Sequence, residues 1–292
     1  MEFSDFLGLA QIDPKDVAMA MHKPSHPATR QALAVAAEER ADLFNAYQST
    51  HPTIQERTLA VRPLLAAFVA TLPGEMTFVG LFRNEGHTIA TAKSLREDGV
   101  FNEMSARIGT LRRPDQNWAE DLAGRARFSL AEDDRLGELR LRLVVKDPNA
   151  RNYMRLAEKT PLQVLEVKRI ARASVPIPPW DQVILTAPEL PHLPRDWQAH
   201  LAAWRGVYLI TDQSDGARYV GSAYGGENLL GRWRTHIAGE AGVTKELSRR
   251  NPRNFRFSIL ELLSPAATIE EVTQCEARWM DRLATREFGL NA

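Results

Sequence analysis

An α+β fold in two parts is predicted by three observations. The first seventy residues carry helical patterning, the stretch from about residue 76 onward alternates like strands, and a proline cluster near residues 175–195 interrupts both. At 292 residues the chain is long for one small domain and suits two, since domains usually run to roughly 100–200 residues. With 44% hydrophobic and 25% charged residues it can bury a real core, which excludes a disordered or fibrous chain.

Other function classes fall away on composition. Lys and Arg number 37 and so do Asp and Glu, so no overall basic excess advertises a polyanionic partner. A single cysteine, Cys275, rules out a disulfide framework or a Cys-rich zinc site within the chain and fits a reducing cytoplasm. No run approaches the roughly 20 apolar residues of a membrane span, and the N-terminus lacks a signal peptide's basic start and long apolar stretch. A soluble cytoplasmic protein without membrane contact is expected.

In the first part, Ala28 to Tyr47 is rich in helix formers, and Ile54 to Leu72 places Leu59, Leu64, Phe68 and Leu72 at helical intervals, with Pro63 as a break. Met76 to Phe82 reads as a buried strand. Glu138 to Val145 alternates apolar with charged residues, Asn149 to Glu158 suits a short helix, and Leu162 to Ile170 alternates again. These make a mixed α/β domain with a small sheet over residues 1–195, suited to substrate recognition or regulation. Glu97 to Arg127, with Arg107, Arg112, Arg113, Arg125 and Arg127, is a long polar stretch and reads as a solvated loop or helix face rather than a nucleic-acid contact. Pro176, Pro178, Pro179, Pro188, Pro191 and Pro194 prevent regular structure and mark an extended connector over 175–195, although the apolar Asp181 to Thr186 suggests packing. The second domain then covers 196–292.

That domain holds the specific signals. Gly206-Val207-Tyr208 begins a strand, Asp212 to Gly216 is a turn cluster, and Tyr219-Val220-Gly221 lies on a second strand, so the segment is a β-hairpin. A helix follows from about Asn228, with Leu229, Trp233 and Ile237 in one row and Asn228, Arg232 and His236 in the next. One row can face a core while the other presents a cation beside an imidazole. Asn254 to Glu261 makes a third strand, and Ile269 to Leu283 a helix that sets Glu276 on or beside its apolar stripe. A carboxylate there is costly unless it is paired, with Arg232 or Arg282 for example, or binds a metal. Trp233 and Trp279 are expected in the core, and Cys275 as a small packing residue.

The order GVY, ten residues, YVG, then a helix with Arg and His resembles the GIY-YIG nuclease family over roughly residues 200–292. Val stands for Ile in both triplets, a β-branched replacement that keeps the strands. The resemblance implies a small three-stranded antiparallel sheet flanked by helices and a metal-dependent endonuclease. In it Tyr208 acts as, or passes a proton to, the general base. Tyr219 positions water or phosphate, and Arg232 forks two donors onto the phosphate, with Arg234 the other candidate. His236 serves as base partner or phosphate donor. Glu276 holds one Mg²⁺ or Mn²⁺ per active site, and Asn291 completes the site. The single carboxylate suggests one ion rather than two.

Lys245, Arg249, Arg250, Arg253 and Arg256 are opposed within their segment only by Glu246, either as a phosphate-binding loop for DNA or as a solvated loop. The expected activity is hydrolysis of DNA phosphodiesters in restriction-modification or phage defence. DNA repair, structure-specific cleavage and an inactive DNA-binding module are the alternatives. One site cuts one strand, so a double-strand break requires a homodimer or sequential nicking.

Overall fold

The prolines of residues 175–195 do not make a free connector. In the computed structural model, which describes residues 1–109, 117–149, 152–239 and 244–291, the chain divides into two units after Val175. Val183, Leu185, Leu190 and Leu193 are buried in the core of the second unit. Ile184–Thr186 pairs antiparallel with a later strand through Leu185 opposite Phe257. A boundary at 195/196 therefore lies too late. The prolines flank a three-residue edge strand, a place where their missing N–H costs no ladder bond.

The first unit, Met1–Val175, carries a seven-stranded sheet: β1 Val17–His22, β2 Leu64–Ala70, β3 Glu75–Ile89, β4 Ala126–Asp133, β5 Leu143–Lys146, β6 Met154–Leu156 and β7 Val164–Val167. Their order is β6-β1-β2-β3-β5-β7, with β4 also on β3. β1 and β2 run parallel, so the link between them must cross over. Helices Pro27–Glu39, Ala41–Gln48 and Thr53–Ala60 form that crossover.

Both central strands are buried on both faces. Ala18, Ala20, Leu65 and Ala67 share a core with Leu33 and Phe44 of the crossover helices. Val17, Met19, Leu64, Ala66 and Phe68 pack from the other face against Phe3 and Phe78. Strands covered in this way are continuous apolar runs without alternation.

That burial corrects several expectations. The helix expected over Ile54 to Leu72 ends at Ala60, and Leu64–Ala70 is β2; its Leu and Phe spacing matches a helix by coincidence because every residue of the run is apolar. Ala28 to Tyr47 is two helices broken at Arg40, where φ is −142° and ψ 66°. Asn149 to Glu158 is not a helix where it is described: Met154–Leu156 is β6 and Ala157–Lys159 a short turn of 3₁₀ helix. Of Glu138 to Val145, only the part from Leu143 is strand, after Leu141 at φ 58°. In the polar stretch, Arg107 pairs with Glu103 and Arg127 with Asp98, while Arg112 and Arg113 lie outside the described residues.

The second unit, Pro176–Ala292, is built on β9 Arg205–Asp212, β10 Arg218–Ala223 and β11 Phe255–Leu263. With β8, Ile184–Thr186, the antiparallel order is β10-β9-β11-β8, so the three expected strands gain a fourth from the proline-rich segment. Alternation sorts the two faces. Tyr208, Ile210, Tyr219, Phe257 and Ile259 share a core with Leu229 and Trp233 of the Asn228–Ala238 helix. Val207 and Val220 pack instead with Cys275 of the Ile269–Arg282 helix. Among the described residues no helix is long and apolar enough to cross a membrane.

Two buried imidazoles make the first unit acid-sensitive. Burial lowers His22 to about 3, helped by the charge of His51 and opposed by Gln48, and lowers His51 to about 4. Because both native values lie below the ordinary histidine value near 6.5, the unfolded chain binds more protons between about pH 6.5 and 4. The stability carried by the neutral rings is complete above that window and is lost as pH falls through it. Thermal unfolding followed from pH 7 to pH 4 is expected to show a falling midpoint, with a flatter dependence in the His22→Gln/His51→Gln variant. An equally steep profile in that variant would contradict this account.

Candidate active site

The hairpin register places Tyr208 opposite Gly221 and Tyr219 opposite Ile210. The Tyr208 ring lies over Gly221, where a β-carbon would stand 2.5 Å from Tyr208 Oη. Glycine is therefore a steric requirement of the second triplet. Gly206 answers a different approach: a β-carbon there would stand 2.2 Å from the carbonyl oxygen of Glu261, beside the bulge between Ile259 and Glu261 on β11. The triplet valines, Val207 and Val220, face the small core around Cys275, which needs β-branched side chains of modest volume.

The Asn228–Ala238 helix brings its polar row to these rings. Tyr208 Oη lies 2.6 Å from His236 Nε2, and both side chains are buried. The imidazole also meets Tyr208 and Tyr219 edge-on, at centroid distances of 5.6 and 5.5 Å. Burial, reinforced by the nearby charge of Arg232, lowers His236 to about 3. The Tyr208 and Tyr219 phenols are pushed up, first by burial. Phenol and imidazole are thus both neutral at neutral pH.

Arg232 lies beside both tyrosines. Burial works against its charge, but the tyrosine oxygens, Tyr208 foremost, raise its pKa overall. Arg234 points to other partners, Glu227 at 3.4 Å and Gln198 at 3.0 Å. Of the two candidate arginines, geometry brings Arg232 to the site. Trp233 is core, stacked on Phe257 at 5.2 Å.

Glu276 arrives from the other face of the sheet. Half-buried on the Ile269–Arg282 helix, it accepts a hydrogen bond from Ser222 Oγ at 2.7 Å, and the Ser222 backbone N–H adds to the hold. Burial raises its pKa, while Ser222 and the charge of Arg232 pull the other way. Arg282, an alternative partner for this carboxylate, instead lies over the Trp279 ring at 5.3 Å. Asn291 binds the strand that carries Tyr219: its Oδ1 accepts from Val220 N at 2.8 Å and its Nδ2 donates to Val220 O at 2.7 Å. It fastens the backbone between Tyr219 and Gly221.

A family model described as the GIY-YIG catalytic domain matches residues 205–291. This part of the chain is a GIY-YIG nuclease domain. Two solved structures are similar to it. The catalytic domain of homing endonuclease I-TevI is 26% identical, over 30% of this chain and 95% of that one, with a TM-score of 0.25. An alanine mutant of the catalytic domain of intron endonuclease I-TevI is 24% identical, over 30% and 92%, with a TM-score of 0.26. No curated protein matches the chain.

Within the GIY-YIG domain the basic segment divides by role. Arg250 bridges Asp215 and the buried Asp212, 3.3 Å away, and so ties the segment to the hairpin turn. Arg249 pairs with Glu246 at 3.0 Å. Lys245, Arg253 and Arg256 are exposed, and Arg256 lies in a cross-strand row with Thr211 and the exposed Arg218. Sequence reasoning missed Ser222. Its only signal is a polar residue three positions after Tyr219 on a strand that turns out to be the sheet's edge.

Two outcomes follow. Gly221→Ala is expected to cost about 1–3 kcal/mol by overpacking and to lower DNA cleavage at least roughly tenfold, because the Tyr208 phenol must move; thermal melts and plasmid nicking measure both. Arg250→Ala should lower the melting temperature, whereas Arg253→Glu/Arg256→Glu should leave it unchanged and weaken DNA binding with a reduced salt slope. Equal effects of both substitutions on stability would refute that division.

Proposed function

We propose that the chain is a metal-dependent DNA endonuclease acting in restriction or phage defence. The observation that carries the nuclease reading is the convergence of the Tyr208–His236 pair, Tyr219, Arg232 and Glu276 from two helices onto one hairpin edge. In the proposed reaction, Arg232 offers planar, paired N–H donors to the phosphate, and Tyr219 positions water or phosphate. Tyr208 Oη accepts a proton from the attacking water while its own proton passes to His236 Nε2. The water oxygen bonds to phosphorus, the bond to the leaving sugar oxygen breaks, and that oxygen takes a proton from solvent. A resident tyrosinate is unfavourable at a buried site, so proton transfer through Tyr208 suits the site better than prior ionisation. The imidazolium that forms on His236, disfavoured in the resting site by burial and Arg232, is stabilised by the negative charge of the attacked phosphate.

The donor chemistry at Glu276 fits a hard divalent ion. A half-buried carboxylate whose pKa burial has raised gains from a cation. Mg²⁺ typically takes one or two carboxylates, with phosphate and water oxygens completing the shell. Among the described residues no group of three His, Cys, Asp or Glu forms a closed metal cage, in keeping with such a shared site. When bound, the ion supplies charge stabilisation to the phosphoryl group and leaving oxygen. Asn291 acts in this reading as a positioning residue for β10.

The defence reading is supported by the pairing of a cleavage unit with a separate unit that has its own core, a division suited to selecting substrate. A reducing cytoplasm suits the lone buried Cys275. One site per chain implies a homodimer or successive nicks for a double-strand break.

Digestion of unmethylated, methylated and hydroxymethylated plasmid with Mg²⁺ or Mn²⁺, followed by end sequencing, tests the whole reading. Cleavage should need the ion and discriminate among the substrates. Glu276→Ala should lower cleavage by about a hundredfold or more, in the range for lost transition-state stabilisation, while binding persists. Cleavage without a metal, or an unaffected Glu276→Ala, would sink the mechanism. Indifference to modification together with preference for branched DNA would move the protein to repair.

A further inference from the structure

A cavity of about 410 Å³ runs along the Asn228–Ala238 helix and has Arg232 and Arg234 in its wall. A second one lies wholly within the first unit and has no part in the nuclease chemistry. Its volume is about 450 Å³, inside the roughly 300–1,000 Å³ of small-molecule pockets. Aromatic rings line part of its wall: His22, Tyr47, His51, Trp118 and Tyr153. His22 sits 5.5 Å from Tyr47 and 6.0 Å from Tyr153 by centroid. His51 Nδ1 lies 2.9 Å from Tyr153 Oη. The Trp118 ring is pressed against Gly109, where a β-carbon would stand 2.8 Å from it.

Polar atoms in this wall lack partners. Thr29 Oγ1, His51 Nε2 and Trp118 Nε1 are buried without a hydrogen bond among the described residues. Thr29 is 1% exposed and His51 2%. Buried polar groups are ordinarily paired. With His22 Nε2 these three atoms make four orphans around one aromatic cavity, which call for a ligand with its own donors and acceptors.

Charge narrows the class. Among the described residues no carboxylate lines the cavity, whereas Lys23 and Arg125 do. An aromatic cage for an ammonium ligand needs the opposite balance. Lys23 pairs with Asp147 and Arg125 donates to Thr53 Oγ1 at 3.3 Å, exposed or half-buried positions from which both can also meet an anion. The buried imidazoles are neutral at neutral pH, and a neutral ring offers one donor and one acceptor.

We propose that this cavity binds a nucleobase bearing a phosphate, with the planar ring against the aromatic wall and the phosphate at Lys23 and Arg125. The same chemistry comes from two sources, a free nucleotide or a base turned out of a DNA strand. The proposal stands independently of the nuclease reading.

The test uses the full chain carrying Glu276→Ala, so that cleavage, or its absence, does not affect the readout. In one arm, calorimetry measures binding of dAMP, dGMP, dCMP, dTMP, 5-methyl-dCMP and 5-hydroxymethyl-dCMP. In the other, an oligonucleotide containing 2-aminopurine reports unstacking by a rise in fluorescence. Thr29→Val and Trp118→Phe remove one orphan each with little change in shape, and thermal melts confirm that they fold. At least one arm should respond, and each variant should weaken that response about tenfold, the loss of roughly one buried hydrogen bond. A mononucleotide response identifies a free ligand, and a response of the oligonucleotide alone identifies a strand base. Silence in both arms, full binding by both folded variants, or displacement of the nucleotide by choline would overturn the proposal.

Discussion

The open edge of β10 is the constraint on which the nuclease domain depends. An edge strand presents main-chain N–H and C=O groups that no neighbouring strand satisfies. Here the edge is closed residue by residue. Leu290 N donates to Arg218 O, the Asn291 amide takes both groups of Val220, and Glu276 accepts from Ser222. The same contacts that satisfy the strand deliver a carboxylate beside the tyrosines. Backbone saturation and site assembly are one arrangement, so loss of the C-terminal contacts would disturb both.

Position at the edge also explains how two helices from opposite faces of a sheet contribute to a single site. Alternation sends Tyr208 and Tyr219 toward the Asn228–Ala238 helix and Val207 and Val220 toward the Ile269–Arg282 helix. In mid-sheet those faces would stay separated by the strands. At β10 they meet around the rim, and Glu276 is near enough to Arg232 and Tyr219 for each to influence the others' ionisation.

A balanced composition conceals local electrostatics. The 37 basic and 37 acidic residues cancel, yet the cation that matters at the site, Arg232, is half-buried beside phenols rather than part of a basic patch. Conversely, the densest basic segment is partly structural, because Arg250 and Arg249 are spent on carboxylates. Counting charge measures neither effect, since a low-dielectric setting strengthens one cation while ion pairing silences others.

Much of the nuclease half was legible because its signals are local. A hairpin turn between two tyrosine-bearing triplets and a helix row four residues apart are set by neighbours in sequence, and their resemblance to a known family let Tyr208, Tyr219, Arg232 and His236 be named before any contact was known. The roles of Ser222 and Asn291 were not legible, because they depend on which strand forms the edge. In the first unit β1 and β2 escaped notice for a related reason: strands buried on both faces lose the alternation that distinguishes them, and Leu64 to Ala70 passes for helix. The residues by themselves determined the hairpin, its two tyrosines and the helix that faces them, through short-range sterics and periodicity. Only the tertiary structure decided where the proline-rich segment belongs, which arginine meets the phenols and what Asn291 holds, because those outcomes rest on pairing and burial between segments far apart in the chain.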